Sequence, residues 1–353
     1  MTEQRFHSLD AMRGIAAIAV VILHIGDVMH LQTFHYAYLA VDFFFGLSGF
    51  VLARAYESKL RSSLPSLRFL EMRVIRLYPL FALGIIFGAI NVAGQIAAHS
   101  PTALSPFGAV GALVMNALML PALSSPASLF PLNGPAWSLF FEMVINVVFA
   151  VILYRLASSL LAVICAVVGA LYLSSILYLG HADVGMYWSN IGLGLLRVGF
   201  SFPVGVLLAR LYGKTAKIPS AFSLVPMMVL GTMMAVVLPS RFDRAYDVIA
   251  IFLVMPVILW LGAIYEMPER LKKIGAFLGD VSYPLYAIHF PLLQTFSYIF
   301  ARKLHLPGGI VATVFVVGVI WLAWFLSHHF DVPVRRWLSA RSKLRATAIP
   351  AGS

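Results

Sequence analysis

Arg13 and His24 are the residues whose types and spacing most directly suggest chemistry. They stand eleven positions apart in Asp10-Ala-Met-Arg-Gly-Ile-Ala-Ala-Ile-Ala-Val-Val-Ile-Leu-His24. On an α-helix that separation returns to nearly the same face, with roughly 16 Å between them along the axis. The stretch is otherwise apolar, and an ionisable side chain inside a bilayer is costly enough that it usually serves a function. Asp42, Glu142, Arg197 and His289 also interrupt apolar runs. Counting residues from the ends of those runs puts His24, Glu142 and His289 roughly 20 Å from one membrane face, with Asp42 somewhat nearer the other. Two imidazoles and two carboxylates in one layer could carry acid/base chemistry. Arg13, Arg73 and Arg76 gather toward the first face, where guanidinium groups suit phosphate.

Each residue also has a plainer reading. His24 could be a hydrogen bond between helices, and His289 could cap carbonyls freed by Pro291. Glu142 could pair with Arg197, and Asp42 could be solvated near the surface. Arg73 and Arg76 could simply anchor the chain at the membrane surface. The remaining histidines, His30 among them, fall near span ends or in loops, and adjacent His328 and His329 point to different helix sides. No metal-binding spacing emerges.

The elements that must position these residues are membrane helices. Of 353 residues, 61% are hydrophobic and only 11% charged, against about 25% charged in a soluble domain. Apolar runs recur near 10–29, 38–56, 77–98, 133–154, 158–179, 190–211, 223–239, 246–265, 276–300 and 309–330. Runs of about 20 residues can cross a hydrocarbon core, so the expected fold is an all-α integral membrane protein of about ten spans. Residues 1–334 are expected to form one transmembrane domain, and 335–353 a basic, mobile cytoplasmic tail. The net charge of +11 comes from loops on one side. With the N-terminus inside, only Arg241, Arg244, Arg302 and Lys303 fall outside, and both termini are expected in the cytoplasm. Basicity distributed in this way reflects topology and gives no reason to expect a nucleic-acid partner; the lipid bilayer is the expected one.

Segment 10–28 lacks the pattern of a cleavable signal peptide, because Asp10 and Arg13 interrupt its start. The single cysteine, Cys165, excludes an internal disulfide. Residues 64–75 read as an amphipathic interfacial helix. Within the long outer connection 99–132, the apolar run 107–120 is too short to span and fits a re-entrant or interfacial helix. Pro135 suits the first turn of a helix, and Trp137 suits an outer aromatic belt. Pro284 and Pro291 predict a kinked ninth span whose freed carbonyls need partners.

Taken together, these motifs resemble the acyltransferase family 3 membrane proteins. Arg13, ten residues, then His24, within Leu-Asp-Ala-Met-Arg-Gly, is similar to that family's hallmark. Val-Asp-Phe-Phe-Phe-Gly-Leu-Ser-Gly-Phe (41–50), Arg73-Val-Ile-Arg76, Trp137-Ser-Leu-Phe-Phe-Glu142 and Ser282-Tyr-Pro-Leu-Tyr-Ala-Ile-His289 resemble its later signatures, in family order. Met12 stands where leucine is common and Ala40 where glycine is common; neither departure removes a functional group. The resemblance implies transfer of an acyl group, usually acetyl, from cytoplasmic acyl-CoA to a hydroxyl on an extracytoplasmic or lipid-linked polysaccharide, such as an exopolysaccharide, at a bacterial cytoplasmic (inner) membrane. It implies acetyl-CoA as the donor and no metal. Arg73 and Arg76 would hold CoA phosphates, Arg13 would flank the pantetheine arm, and His24 would act as general base. Glu142 or Asp42 would orient His24, with His289 in the same layer, and Trp137, Ser138 and Tyr283 would contact substrate. The alternative is a transporter or flippase using the polar layer as a proton relay. The absence of an internal repeat weakens that alternative.

Overall fold

A computed structural model describes residues 5–29, 33–101, 103–125, 127–213, 215 and 217–348. His30, Lys214 and the last five residues of the expected tail lie outside the described residues. Among the described residues fourteen α-helices follow one another: α1 His7–Met29, α2 Ala40–Leu52, α3 Ser58–Ser62, α4 Ser66–Ala97, α5 Pro106–Ala117, α6 Ala136–Val151, α7 Ser158–Leu179, α8 Ile191–Tyr212, α9 Leu224–Ala235, α10 Asp243–Ile249, α11 Met255–Ile264, α12 Lys272–Ser297, α13 Gly308–Leu326 and α14 Val332–Ala348. The only strands among the described residues are the two-residue segments β1, Ile218–Pro219, and β2, Tyr265–Glu266, which pair in parallel.

Every expected span falls on a helix. Among the described residues seven helical stretches are long and apolar enough to cross a membrane: His7–Met29, His35–Ser62, Ser66–Ala97, Ser158–Leu179, Trp188–Tyr212, Ser240–Ile264 and Gly308–Leu344. The other expected spans fall on the shorter α6 and α9 and on the more polar α12.

The structure differs from the sequence reading in three places. The interfacial helix expected at 64–75 is not separate, because α4 runs unbroken for 32 residues with Pro79 inside it. The residues expected to begin a mobile tail are helical to Ala348, and Arg68 of α4 bonds Ser342 of α14. Trp137 is buried inside the bundle and does not lie in an outer aromatic belt.

The short run between α4 and α6 turns inward. Pro106 and the Ser105 side chain, which accepts from the Gly108 amide, start α5, and Ala117 at its far end accepts a 3.0 Å hydrogen bond from Tyr78 in the first half of α4. The chain then returns through Asn116, whose amide donates to the Leu120 and Leu129 carbonyls. This is the geometry of a re-entrant helix. As a result α6 begins beside the middle of α12, where the Asn133 amide donates to the Ala287 carbonyl at 2.8 Å. Ala287 is the residue four before Pro291, so its carbonyl is the one the proline leaves free.

Two close helix contacts hold the bundle. In membranes small residues let backbones approach, since lipid provides no hydrophobic drive between helices. Gly46 and Gly49 of α2 face α8, where a methyl group on Gly205 would run into the Gly46 carbonyl. Gly14 and Gly279 do the same between α1 and α12, with Leu278 and Asp10 as the neighbours a side chain would meet. At the basic end, Glu266 of β2 accepts from the backbone amides of His7 and Ser8. These groups have no partner within α1, so the carboxylate fixes where that helix starts.

The packing at Gly205 can be tested. Gly205→Ala is expected to destabilise the detergent-solubilised protein by about 1–3 kcal/mol or more, read as a lowered melting temperature. Gly192→Ala in the same helix meets nothing within 4 Å and is expected to leave melting nearly unchanged.

Candidate functional site

At the basic end α1, α2, α4, α6 and α12 enclose a cavity of about 220 Å³. Arg13, Arg73, Arg76, Ser138, Glu142 and Tyr283 all line it, so six of the ten residues expected at the site come together there. Arg13 is tied to α12 by hydrogen bonds to the Ser282 hydroxyl and the Gly279 carbonyl, both 2.8 Å, and to Asp10 at 3.1 Å. Arg73 pairs with Glu142 at 2.9 Å, and Ser48 donates to the same carboxylate oxygen at 3.2 Å. Arg76 lies over the Tyr283 ring, 5.1 Å from its centroid, and the Tyr283 hydroxyl bonds the Leu77 carbonyl. Arg73 Nε and Arg76 Nη1 are buried without a hydrogen-bond partner. Buried donors of that kind are costly unless something accepts from them.

The sequence count puts Glu142 level with His24. The structure sets it nearer the basic end, beside Arg73, because the chain enters α6 from the re-entrant turn and so the helix starts partway down the bundle. Ser138 and Tyr286 form the inner wall of the cavity, their hydroxyls 2.6 Å apart.

One turn beyond Tyr286 along α12, the two histidines meet. His289 Nε2 lies 3.2 Å from His24 Nδ1, and His24 Nδ1 is also 2.8 Å from the Val20 carbonyl oxygen. His289 Nδ1 lies 3.0 Å from the carbonyl oxygens of both Leu285 and Tyr286. A carbonyl only accepts, so each Nδ1 must carry its proton. In the neutral rings both Nε2 atoms therefore hold lone pairs. That of His289 accepts from His24, and that of His24 makes no hydrogen bond among the described residues. The carboxylate partner expected for His24 is absent: neither Glu142 nor Asp42 bonds it, and a second imidazole takes the place. His289 also does not cap the carbonyl freed by Pro291, since Asn133 does so.

Asp42 belongs to a separate cluster. It is buried, pairs with the fully buried Arg197 at 2.6 Å, and accepts from Tyr172 at 3.1 Å. Arg197 also donates to the carbonyls of Val184 and Tyr38 and lies 5.5 Å from the centre of the Trp137 ring. Asp42 and Trp137 thus stand apart from the cavity and brace α2, α6, α7 and α8. Arg197 takes Asp42, leaving Glu142 to Arg73. Sequence reasoning missed Ser48, Tyr286 and Asn133. The first two lie inside the motif stretches 41–50 and 281–291, where alternating with apolar residues was their only signal. No group of three or more His, Cys, Asp or Glu able to hold a metal ion occurs among the described residues.

Comparison with known proteins adds an independent line. The family described as Acyltransferase domain, the acyltransferase 3 family, matches residues 6–328. The chain is 40% identical over 158 residues to "Protein 2 in picA locus" of Rhizobium radiobacter, covering 42% of this chain and 82% of that protein. It is 24% identical over 288 residues to ORF330 of Acidianus two-tailed virus, named as a candidate acetyltransferase, covering 79% of this chain and 80% of the other. No solved structure matches.

The Asp42–Arg197 pair sets a test of what braces the bundle. Arg197→Met is expected to destabilise by about 3–5 kcal/mol, because it leaves a buried carboxylate unpaired. Adding Asp42→Leu to the same chain is expected to restore much of the loss, read from thermal melts of the single and double variants.

Proposed function

The chain belongs to the acyltransferase 3 family of membrane proteins, and on that premise we propose that it moves an acetyl or other short acyl group from cytoplasmic acyl-CoA to a hydroxyl of an extracytoplasmic or lipid-linked polysaccharide. The proposed setting is the cytoplasmic membrane of a bacterium, with the basic end of the bundle inside, as the bias of Lys and Arg favours.

One observation carries this reading: α1 bears a guanidinium-lined cavity at its basic end and, eleven residues on, an imidazole with an unshared lone pair. Phosphate oxygens fit the buried, unpartnered N–H groups of Arg73 and Arg76. Arg13, fixed to α12 by Ser282 and Gly279, lines the same cavity as those arginines, on the helix that carries His24. Val41, Phe44, Leu77 and Leu139 supply apolar wall, which suits the slender part of such a donor. Acyl-CoA would supply an acyl group activated as a thioester.

The chain's own residues would do the rest. His24 Nε2 takes the proton of the acceptor hydroxyl as general base while that oxygen bonds the acyl carbon. The thioester C–S bond breaks and the imidazolium returns the proton to the departing CoA sulfur, a role that typically contributes about 10²–10⁴-fold. The Nδ1–H of the imidazolium so formed donates to the Val20 carbonyl and the His289 lone pair. His289 thereby holds the tautomer and orientation of the base, as the carboxylate does in a serine-protease triad, but without adding a negative charge to the membrane interior. Ser138 and Tyr286 stand between the cavity and the imidazole pair, where they can orient the group that arrives.

His24→Ala is expected to lower transfer by about 10²–10⁴-fold while leaving CoA binding intact. The measurement is acylation of the cell's surface glycans, read by mass shift, alongside calorimetric CoA binding to the purified protein. Full acylation in the variant would rule out His24 as the base. Substrate crossing vesicles without acyl-CoA would favour transport instead.

A further inference from the structure

Beyond the last family-matched residue, Phe330 and Asp331 lead into α14, whose basic residues read in the sequence as topological charge alone. The structure gives one of them a more specific place. Asp331 is almost fully buried, and its carboxylate lies 2.8 Å from Arg335 Nη2 and 3.7 Å from Arg76 Nη1. One carboxylate therefore serves two guanidinium groups, one from α14 and one from the wall of the cavity. The contact to Arg76 is too long for a hydrogen bond, so Arg76 is held by charge and by the Tyr283 ring beneath it. Arg76 Nη1 and Arg335 Nε are buried donors without partners, and Asp331 Oδ1 is a buried acceptor without one. Two partly buried cations, 32% and 25% exposed, share one buried anion, which leaves a positive charge that a further anion would complete.

We propose that Arg335 is a donor-binding residue contributed by the C-terminal helix, and that Asp331 is an internal placeholder which shares Arg76 and Arg335 until a phosphate takes them. This rests on the reading of acyl-CoA as donor. A phosphate group brings more charge and more acceptor oxygens than the carboxylate, and it can accept from the N–H groups that Asp331 leaves unused. The basic helix then has a function at the mouth of the site, and α14 becomes part of donor recognition.

The two residues should act with opposite signs, which a merely structural ion pair would not do. CoA binding to the detergent-solubilised full-length protein, followed by calorimetry, is the measurement. Arg335→Gln is expected to weaken CoA by about tenfold or more, the equivalent of losing one charge-assisted contact, with Arg335→Lys recovering part of the loss. Asp331→Asn is expected to tighten CoA, since it removes the competing charge. Melting temperatures taken without CoA identify any variant that fails to fold, in which case Arg335→Lys against wild type carries the test. Wild-type affinity in Arg335→Gln, or weakening by Asp331→Asn in step with it, would overturn the proposal while leaving the donor reading intact. Failure of the unmodified protein to bind CoA would overturn the donor reading itself.

Discussion

The contact between His24 and His289 is the interaction on which the rest of the arrangement depends. It joins α1 to α12 at the middle of the bundle, and it needs both helices at a fixed height and a short separation. Glu266 sets the height of α1 by capping its first turn. Gly14 and Gly279 allow the separation, and Arg13 ties the pair together two turns from the basic end. Pro291 would weaken α12 just beyond His289, but the Asn133 amide accounts for the carbonyl it frees. A polar pair inside a membrane is thus held in place by hydrogen bonds from several elements of the bundle.

Charge in this bundle is sorted into two sets with different roles. Asp42 and Arg197 neutralise each other in a cluster away from the cavity, where Trp137 covers the cation and Arg197 Nε is a buried donor without a hydrogen-bond partner. Arg73, Arg76 and Arg335 have carboxylate neighbours and unpartnered donors too, but their side chains are 14%, 32% and 25% exposed where that of Arg197 is fully buried. The first set has the character of a brace. In the second, Arg73 and Arg76 line a cavity. Exposure and access to that cavity separate site from structure, since donors without partners occur in both sets.

Much of the fold was legible because membrane helices announce themselves by apolar length: each expected span falls on a helix, and seven helical stretches among the described residues are long and apolar enough to cross. The Arg13–His24 register was legible for the same reason, since helical periodicity is local. Lateral neighbours were not. The depth count brought His24 and His289 to one level, but only packing could make them partners. Glu142 was misplaced because a residue count assumes that a helix starts at the membrane surface, whereas α6 starts at the end of a re-entrant turn. The sequence offered Glu142 as the partner of Arg197 and a solvated place for Asp42, but Arg197 pairs with Asp42 because α8 packs against α2 through Gly205. Arg335 was hidden among other basic residues, with no local pattern to separate it from charges that only fix orientation.

His24 presents a bare Nε2 because His289 and the Val20 carbonyl hold its Nδ1 proton. Nitrogen NMR of the protein labelled with ¹⁵N-histidine, with His24 and His289 assigned by substitution of each in turn, reports the tautomer of each ring directly. The account predicts Nδ1–H with unprotonated Nε2 for neutral His24, and a change in the His24 signals when His289 is replaced. An Nε2–H tautomer at His24, or signals indifferent to His289, would contradict it.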